Sequence, residues 1–524
     1  MSKRFTVLAT IAALAVAGTL APSAAALGDP GGGSSGNGQP STIPGGFKHL
    51  VVIYEENHSF DNLYGGWGAV NGQEVNGTQS VPQVAQDGST YGCLPQVDVN
   101  LTSPPLPVTC TDAAHGIASA FTNHTFTIDD YIAPTDTTCP PPGVFAANGV
   151  LKGTGQPGGC TRDLVHRFYE DQYQENGGLM NRYTTGSDAV GLTQGQYDTQ
   201  KLPIYQYLHS AGAPNYVLAD DFFQAAFGGS FLNHQWLIAA RTPLDTTPTV
   251  NNSVLDSNGM PASYPRYTAT GPVKNTQWTV ACPNGGNDYP AACGNFAVNT
   301  IQPSSAPHGG GAQLPLIDDT KYPNIGDRMT AAGISWNWYS GGWDDAEAGH
   351  PGPLFQYHHQ PFNYFAAYAP GQPGRDHLKD ETKFIAAAQN GTLPTVSFVK
   401  PYGAENEHPG YASEPDGSDH LVDLLQTIMS GPDAKNTLVV VTYDEFGGQA
   451  DHVAPPVVDK WGPGTRIPAL LLSKKFAESG VDHTSYDTTS IVATIEKAFH
   501  LAPLGTRDAK VNPLFNGIRI GLDG

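Results

Sequence analysis

Three short segments of this chain place carboxylates, amides and histidines where they could act together. Residues 55–61 read Glu-Glu-Asn-His-Ser-Phe-Asp, and residues 444–448 read Asp-Glu-Phe-Gly-Gly with Asp451-His452 close behind. A third stretch carries Lys400, Glu407 and His408. Glu56, Asn57, Asp444 and Glu445 are hard oxygen donors with no cysteine among them. Such a set suits Mg²⁺, Ca²⁺, Mn²⁺ or a carboxylate-rich Zn or Fe site rather than a thiolate metal. The same donors would also serve a Ca²⁺ site that only stabilises the fold. Ser230 lies in Gly228-Gly229-Ser230-Phe231. Flanking glycines let another backbone approach and expose the hydroxyl for nucleophilic attack, although the string also reads as a plain turn. It is not GxSxG, so an α/β-hydrolase elbow is not indicated. His115, three residues after Asp112, His359 in Tyr-His-His-Gln-Pro-Phe, and His452 each fit either a catalytic or a packed imidazole.

The elements that must position these groups are legible as apolar runs. His49–Tyr54, Asn215–Leu218, Ile334–Tyr339, Thr395–Val399, Thr437–Tyr443 and Ala469–Leu472 have the length and β-branched bias of buried strands. Helical patterns alternate with them near Leu202–Ala211, His377–Gln389, Ser418–Ser430 and Tyr486–Phe499. Continuous apolar strands spaced by helices predict an α/β fold: a largely parallel central sheet with helices on both faces. In such a sheet the carboxyl ends of the strands open on one edge, where ligands bind. Three of the predicted strands run directly into the polar segments above.

Composition narrows the function classes. The 524 residues include 26 Lys or Arg and 48 Asp or Glu, a formal net charge of −22. Nucleic acid is an unlikely partner for so few positive charges. Lys3-Arg4, the apolar run Val7–Ala17 and Ala24-Ala25-Ala26 have the layout of a secretory signal peptide over residues 1–26. The run is too short for a stable membrane anchor. Residues 27–46 read as a Gly/Ser/Pro-rich linker, and 47–524 as a single catalytic domain. Six cysteines without a CxxC pair favour disulfides in a secreted chain. Sequential pairing, 93–110, 139–160 and 282–293, closes the shortest loops and would tie Gly/Pro-rich insertions at roughly 80–160 and 245–320.

Glu56-Asn57-His58-Ser59-Phe60-Asp61 and Tyr443-Asp444-Glu445-Phe446-Gly447-Gly448-Gln449-Ala450-Asp451-His452-Val453-Ala454-Pro455-Pro456 resemble the bacterial phosphoesterase family. This is the family of secreted phospholipases C and related acid phosphatases in the alkaline-phosphatase superfamily. Asp112-Ala113-Ala114-His115, the segment 228–234, His359-Gln360-Pro361-Phe362 and Glu407-His408-Pro409 support the resemblance in order. It implies an alkaline-phosphatase-like fold. It also implies one or more divalent metal ions, among Ca, Mg, Mn, Zn and Fe, held by Glu56, Asn57, Ser230, Asp444 and Glu445. Ser230 takes the nucleophile position, and His115, His359 and His408 match histidines around the phosphoryl group, with His115 or His408 favoured as proton donor. Two departures stand out. His58 replaces a usual Arg, and Gly229-Ser230 with Leu232 replaces the Gly-Pro-Thr pattern of many phospholipase-type members. Serine is the acid-phosphatase-like choice. The implied activity is hydrolysis of a small phosphoester or phospholipid head group through a phosphoseryl intermediate. The alternative is a non-catalytic exported metal- or ligand-binding protein.

Overall fold

The apolar runs condense into one sheet. The computed structural model describes residues 42–95, 107–130, 163–247, 255–270, 275–286 and 293–523. Its central strands are β1 (His49–Glu55), β2 (Asn215–Ala219), β3 (Trp336–Ser340), β4 (Leu378–Asp380), β5 (Val396–Lys400), β6 (Thr437–Tyr443), β7 (Ala469–Ser473) and β8 (Gly480–Asp482). They form an eight-stranded sheet in the order β4-β3-β5-β1-β6-β7-β2-β8. All neighbours are parallel except β7, which runs antiparallel to both β6 and β2. A fully buried antiparallel strand reads in sequence like a parallel one, so Ala469–Ser473 carries no orientation signal. The edge strands β4 and β8 are three residues each and lack an apolar run, which hid them from sequence reading.

Every residue of β5, β6 and β7 is buried, so the sheet is covered on both faces. One helical layer contains α1 (Pro203–Leu208), α3 (Glu381–Asn390) and α4 (Glu414–Ser430), with α4 packed on both others. A second group pairs α2 (Ser230–Ala239) with α5 (Thr489–Phe499), while α6 (Phe515–Asp523) lies against β2 and β8. Helix α4 begins four residues earlier than its apolar pattern, because the Ser413 side chain accepts from the Asp416 N–H and Pro415 fits the first turn.

The disulfides Cys93–Cys110 and Cys282–Cys293 are present, whereas Cys139 and Cys160 lie outside the described residues. The signal-peptide segment and the spacer through residue 41 lie outside them too. Ile43 is fully buried and bridges to Phe47, so the folded body starts inside the stretch expected to be linker. No helix among the described residues is long and apolar enough to cross a membrane.

Candidate active site

Strand register brings the polar segments together. Glu55 pairs with Tyr443 across β1 and β6, so Glu56-Asn57 and Asp444-Glu445 leave the sheet side by side. Ile53 pairs with Val399, which puts Lys400 at the same edge. The chain then turns sharply. Asn57 has φ +64°, a left-handed conformation that asparagine tolerates, and its N–H donates to Asp444 Oδ1 at 3.2 Å. Gly447, also at φ +64°, passes so close to this turn that a Cβ would sit 2.1 Å from the Asn57 carbonyl oxygen. That close approach is why the acidic pair is followed by glycine.

Ser230 opens helix α2 rather than a simple turn. Its hydroxyl lies 3.2 Å from Glu445 Oε1 and 3.4 Å from Asn57 Oδ1, and the residue is 5% exposed. The carboxylates around it are fully buried. Lys400 Nζ lies 3.2 Å from Glu56 Oε1, Asn406 donates to Glu56 Oε2 at 2.7 Å, and His359 Nε2 also contacts Glu56. Burial raises Glu56, but His359 and Lys400 outweigh it and hold the carboxyl well below the usual range. Burial pushes Asp444 up to about 7 against the pull of Lys400, and burial plus the Asp444 charge pushes Glu445 well above the usual range. Asp444 Oδ2 and His234 Nε2 have no hydrogen-bond partner, although both are buried, and Glu56 Oε1 meets only Lys400 and His359. Glu56, His234 and Asp444 also place ligand atoms within 4.8 Å of one another. Orphaned buried acceptors in an oxygen-rich cluster fit a divalent cation.

Above this cluster opens a cavity of about 540 Å³, lined by Glu56, Ser230, His166, His358, His359 and His408 among others. His408 takes the tautomer with Nδ1–H donating to the Pro409 carbonyl at 2.8 Å, so its Nε2 accepts from Asn57 Nδ2 at 2.9 Å. His234 donates from Nδ1 to the Ser230 carbonyl at 2.8 Å, and its ring stacks on His359 at 5.4 Å. Burial pushes His359 down to about 4 although Glu56 pulls it up, and burial lowers His234 and His358 well below the usual imidazole range. The His166 side chain, also in the cavity wall, is 18% accessible. Its Nδ1 donates to Leu164 O at 2.5 Å and its Nε2 lies 3.3 Å from Glu445 Oε1.

The structure therefore gathers Glu56, Asn57, Ser230, His359, His408, Asp444 and Glu445, and separates His115 from them. His115 lines a different cavity with Tyr91, Asn258 and Arg266. Its Nδ1 bonds Asp112 Oδ2 at 2.6 Å and its Nε2 meets Ser89 Oγ at 2.8 Å. The Ser89 hydroxyl donates to Asp87 at 2.5 Å in a local turn, which leaves that serine without a proton for His115 to take. The correction has a simple cause: the Asp-x-x-His spacing occurs twice. Asp163-Leu164-Val165-His166 is the copy at the site, where the Asp163 carboxylate lies 3.4 Å from His166 Nδ1.

Comparison with known proteins gives the family. The sequence profile of the Phosphoesterase family matches residues 47–502. This chain belongs to the phosphoesterase family. The non-hemolytic phospholipase C of Burkholderia pseudomallei is 28% identical over 220 residues, 34% of this chain and 30% of that protein. Phospholipase C B of Mycobacterium tuberculosis is 23% identical over 460 residues, 75% of each chain. The first match thus spans under a third of its relative's length, the second three quarters. Among solved structures, a 2-O GAG sulfatase aligns at 12% identity over 62% of this chain and 70% of that one. Its TM-score is 0.30, a likeness too slight to bear on fold or function.

His166 and His234 of the candidate site escaped sequence reading, and Lys400 was legible there only as one polar residue after a strand. His166 was masked by its duplicate motif. His234 follows Ser230 by four residues, the spacing of one helix face, but the helix itself was unrecognised. Lys400 ends a strand as an ordinary-looking cap, and only its zero exposure marks it. Two residues left unexplained now have places. His452 hydrogen-bonds Asp61 Oδ2 at 2.7 Å in a buried cluster with Asp451 and Arg466, behind the turn that follows Glu56. His58, at the position of the expected arginine, lies 3.2 Å from Glu414. Burial lowers it, but Glu414 and Glu407 outweigh that and push it up to about 9, so the position keeps its cation.

Proposed function

We propose that this protein is a secreted, metal-dependent phosphoester hydrolase with Ser230 as nucleophile. The observation that carries the reading is the placement of Ser230 Oγ, 3.2 Å from Glu445 and 3.4 Å from Asn57, at the floor of a histidine-lined cavity. A stabilising ion site or a passive ligand site needs no serine there. Glu56, Asn57, Asp444 and Glu445, with Ser230 itself, would hold the cation. When bound, the cation supplies Lewis-acid stabilisation of negative charge on oxygen.

The chain's own groups account for the rest. Ser230 sits in the first turn of α2, whose N-terminal partial positive charge favours a phosphoryl group at that position. Asn57, oriented by His408, and Glu445 hold the hydroxyl in place for in-line attack. As a bond forms from Ser230 Oγ to phosphorus and the bond to the leaving oxygen breaks, the hydroxyl proton passes to Glu445 Oε1, its hydrogen-bond acceptor, and it returns to Ser230 Oγ when the phosphoserine is hydrolysed. His166 Nε2 delivers a proton to that oxygen, because its own contacts, 3.3 Å to Glu445 Oε1 and 3.4 Å to Asn57 Nδ2, are looser than those of His359 with Glu56 and of His408 with Asn57. Water then attacks the phosphoserine, His166 takes its proton, and phosphate leaves with Ser230 restored.

Secretion rests on the sequence of residues 1–26 and on two disulfides, which persist in oxidising compartments. The phospholipase C names of its relatives make a phospholipid head group a second substrate class beside small phosphomonoesters. Hydrolysis of para-nitrophenyl phosphate and para-nitrophenyl phosphorylcholine tests both, with and without chelator. Turnover of either that is lost with chelator and absent in Ser230→Ala supports the reading. Unchanged turnover in Ser230→Ala refutes the covalent route. No hydrolysis of either by wild type, with any divalent metal across pH 5–9, refutes the enzyme.

A further inference from the structure

The loop that carries Ser230 and the loop that carries Asp444 and Glu445 come from chain segments more than two hundred residues apart, yet one side chain spans them. Gln224 is fully buried. Its Nε2 donates to the Ala226 carbonyl at 2.8 Å and the Gly228 carbonyl at 3.0 Å, two residues before the serine. Its Oε1 accepts from the Phe446 N–H at 2.9 Å, the residue directly after Glu445. Behind it stands Asp171, also fully buried. Asp171 Oδ2 accepts from Gln224 Nε2 and from the Gly228 N–H, both at 3.0 Å, and its Oδ1 accepts from Thr465 Oγ at 3.1 Å. From the other side Asn233 of helix α2 holds the same loop, accepting from the Ala226 N–H at 2.9 Å and donating to the Ala226 and Gly228 carbonyls at 3.1 and 3.2 Å. Gly228 at φ +87° lies so close to the helix of residues 168–175 that a Cβ would sit 2.4 Å from Phe168 N. The loop therefore has no slack of its own.

We propose that Gln224, backed by Asp171, is a positioning residue that sets the separation between Ser230 and Glu445. The argument is geometric. The Asn233 clamp fixes the nucleophile loop internally, and helix α2 meets the acidic loop only through the Ser230 and His234 side chains, which belong to the site itself; no backbone group of the acidic loop is held from α2 by these contacts. Gln224 holds one, with its oxygen on one loop and its nitrogen on the other. An amide is the one neutral side-chain group of that length offering both an acceptor and two donors. Glutamate would turn a carboxylate toward two carbonyls and Asp171, and leucine would take away the partner of the Phe446 N–H and leave the Gly228 carbonyl to Asn233 alone. The inference rests on the proposed function, in which the Ser230–Glu445 distance governs attack. Groups outside the ligand set commonly alter metal affinity 10–100-fold, and a misplacement of about 1 Å costs about 100-fold in rate.

The test compares wild type with Gln224→Leu. The readouts are kcat and KM on para-nitrophenyl phosphate, and the affinity of dialysed protein for whichever of Mg²⁺, Ca²⁺, Mn²⁺ or Zn²⁺ supports turnover, by calorimetry. The expected result is a loss of about 100-fold in kcat with KM within about 3-fold, and metal binding about 10-fold weaker. Asp171→Asn keeps an acceptor for Gly228 but faces one amide with another. It should lose about 3–10-fold in kcat, and it carries the test where Gln224→Leu does not fold. A lower melting temperature with kcat and metal affinity within twofold of wild type would mean Gln224 only stabilises the fold, and would overturn the proposal. Where wild type hydrolyses nothing, the proposed function fails. The inference is then judged on the binding of each of the four metals alone, and equal affinities in wild type and variant overturn it.

Discussion

Replacing Arg466 with Met should damage this protein more than any other single change at a distance from the cavity. The guanidinium is fully buried and donates to Asp451 at 3.1 and 3.2 Å, to Asp61 at 2.8 Å, and to the carbonyls of Asn76 and Asp220 at 2.8 Å each. It also lies 4.2 Å above the Phe60 ring, a contact the Met side chain retains in part. Removing one partner of a buried ion pair costs about 3–5 kcal/mol, because the remaining charge stays desolvated. Here two carboxylates remain, one still bonded to His452 and the other to the Asp61 and Val453 N–H groups. Those bonds keep the expected loss near 4 kcal/mol rather than twice that. The loss also depends on pH. Burial already pushes Asp451 up to about 6, with Arg466 pulling it back down. Without Arg466 the folded-state value rises further above that of the unfolded chain. A raised acid destabilises the folded state increasingly as pH climbs from the unfolded value through the folded one. The deficit should therefore be smaller at pH 5, where Asp451 is protonated, than at pH 8. Urea unfolding followed by tryptophan fluorescence at both pH values measures it. A midpoint shift worth less than about 1 kcal/mol, or the same shift at both pH values, would refute the reasoning.

His166→Ala should lower kcat for a para-nitrophenyl ester by about 100-fold or more, the usual worth of a proton donor, whereas His115→Ala should leave it within twofold. A parallel pH–rate comparison of the two variants checks both. Gly447→Ala should abolish turnover and weaken metal binding, since its Cβ would lie 2.1 Å from the Asn57 carbonyl, and circular dichroism would show the sheet intact. Burial followed by the Asp508 charge pushes Glu496 up to about 9, so the folded state loses stability as pH rises from the unfolded value near 4.5 toward 9. Glu496→Gln keeps a donor for Asp508 and an acceptor for Leu504 N–H. It should stabilise the protein by about 1 kcal/mol or more at pH 8 and by little at pH 4.5, as thermal melts would read.

The sequence showed the sheet through its apolar runs but not its edges or the one reversed strand. Val439, Val440 and Val441 are buried whichever way their neighbours run, so Ala469–Ser473 could not reveal its direction. The acidic ligands were legible because they follow those runs directly and the register is set by the strands themselves. Of the histidines, His359 and His408 were legible through the family resemblance alone, and His166 and His234 were not. An imidazole's role depends on which nitrogen is engaged and by what, as with His408 on Asn57 and His359 on Glu56, and such partners lie hundreds of residues away. His115 illustrates the cost: its local spacing matches that of His166, and only the tertiary position separates them.

The charge balance of the site links these points to the net −22 of the chain. With 26 basic residues in the chain, a metal and several imidazoles are the expected sources of positive charge at a phosphate site. Desolvation lowers His234, His358 and His359, so these three serve as neutral donors and acceptors rather than as cations. Lys400 is the fixed cation beside Glu56, Asp444 and Glu445, and its ammonium is already shared between the Glu56 carboxylate and the Glu55 carbonyl. One ammonium already shared in this way offers little to a phosphoryl group, and Asp444 and Glu445, raised by burial, would ionise fully only beside a further positive charge. Under the proposed function that charge is the cation: it would fill the carboxylate cluster first, affinity for the substrate's phosphate would depend on it, and the histidines of the cavity wall would move the protons.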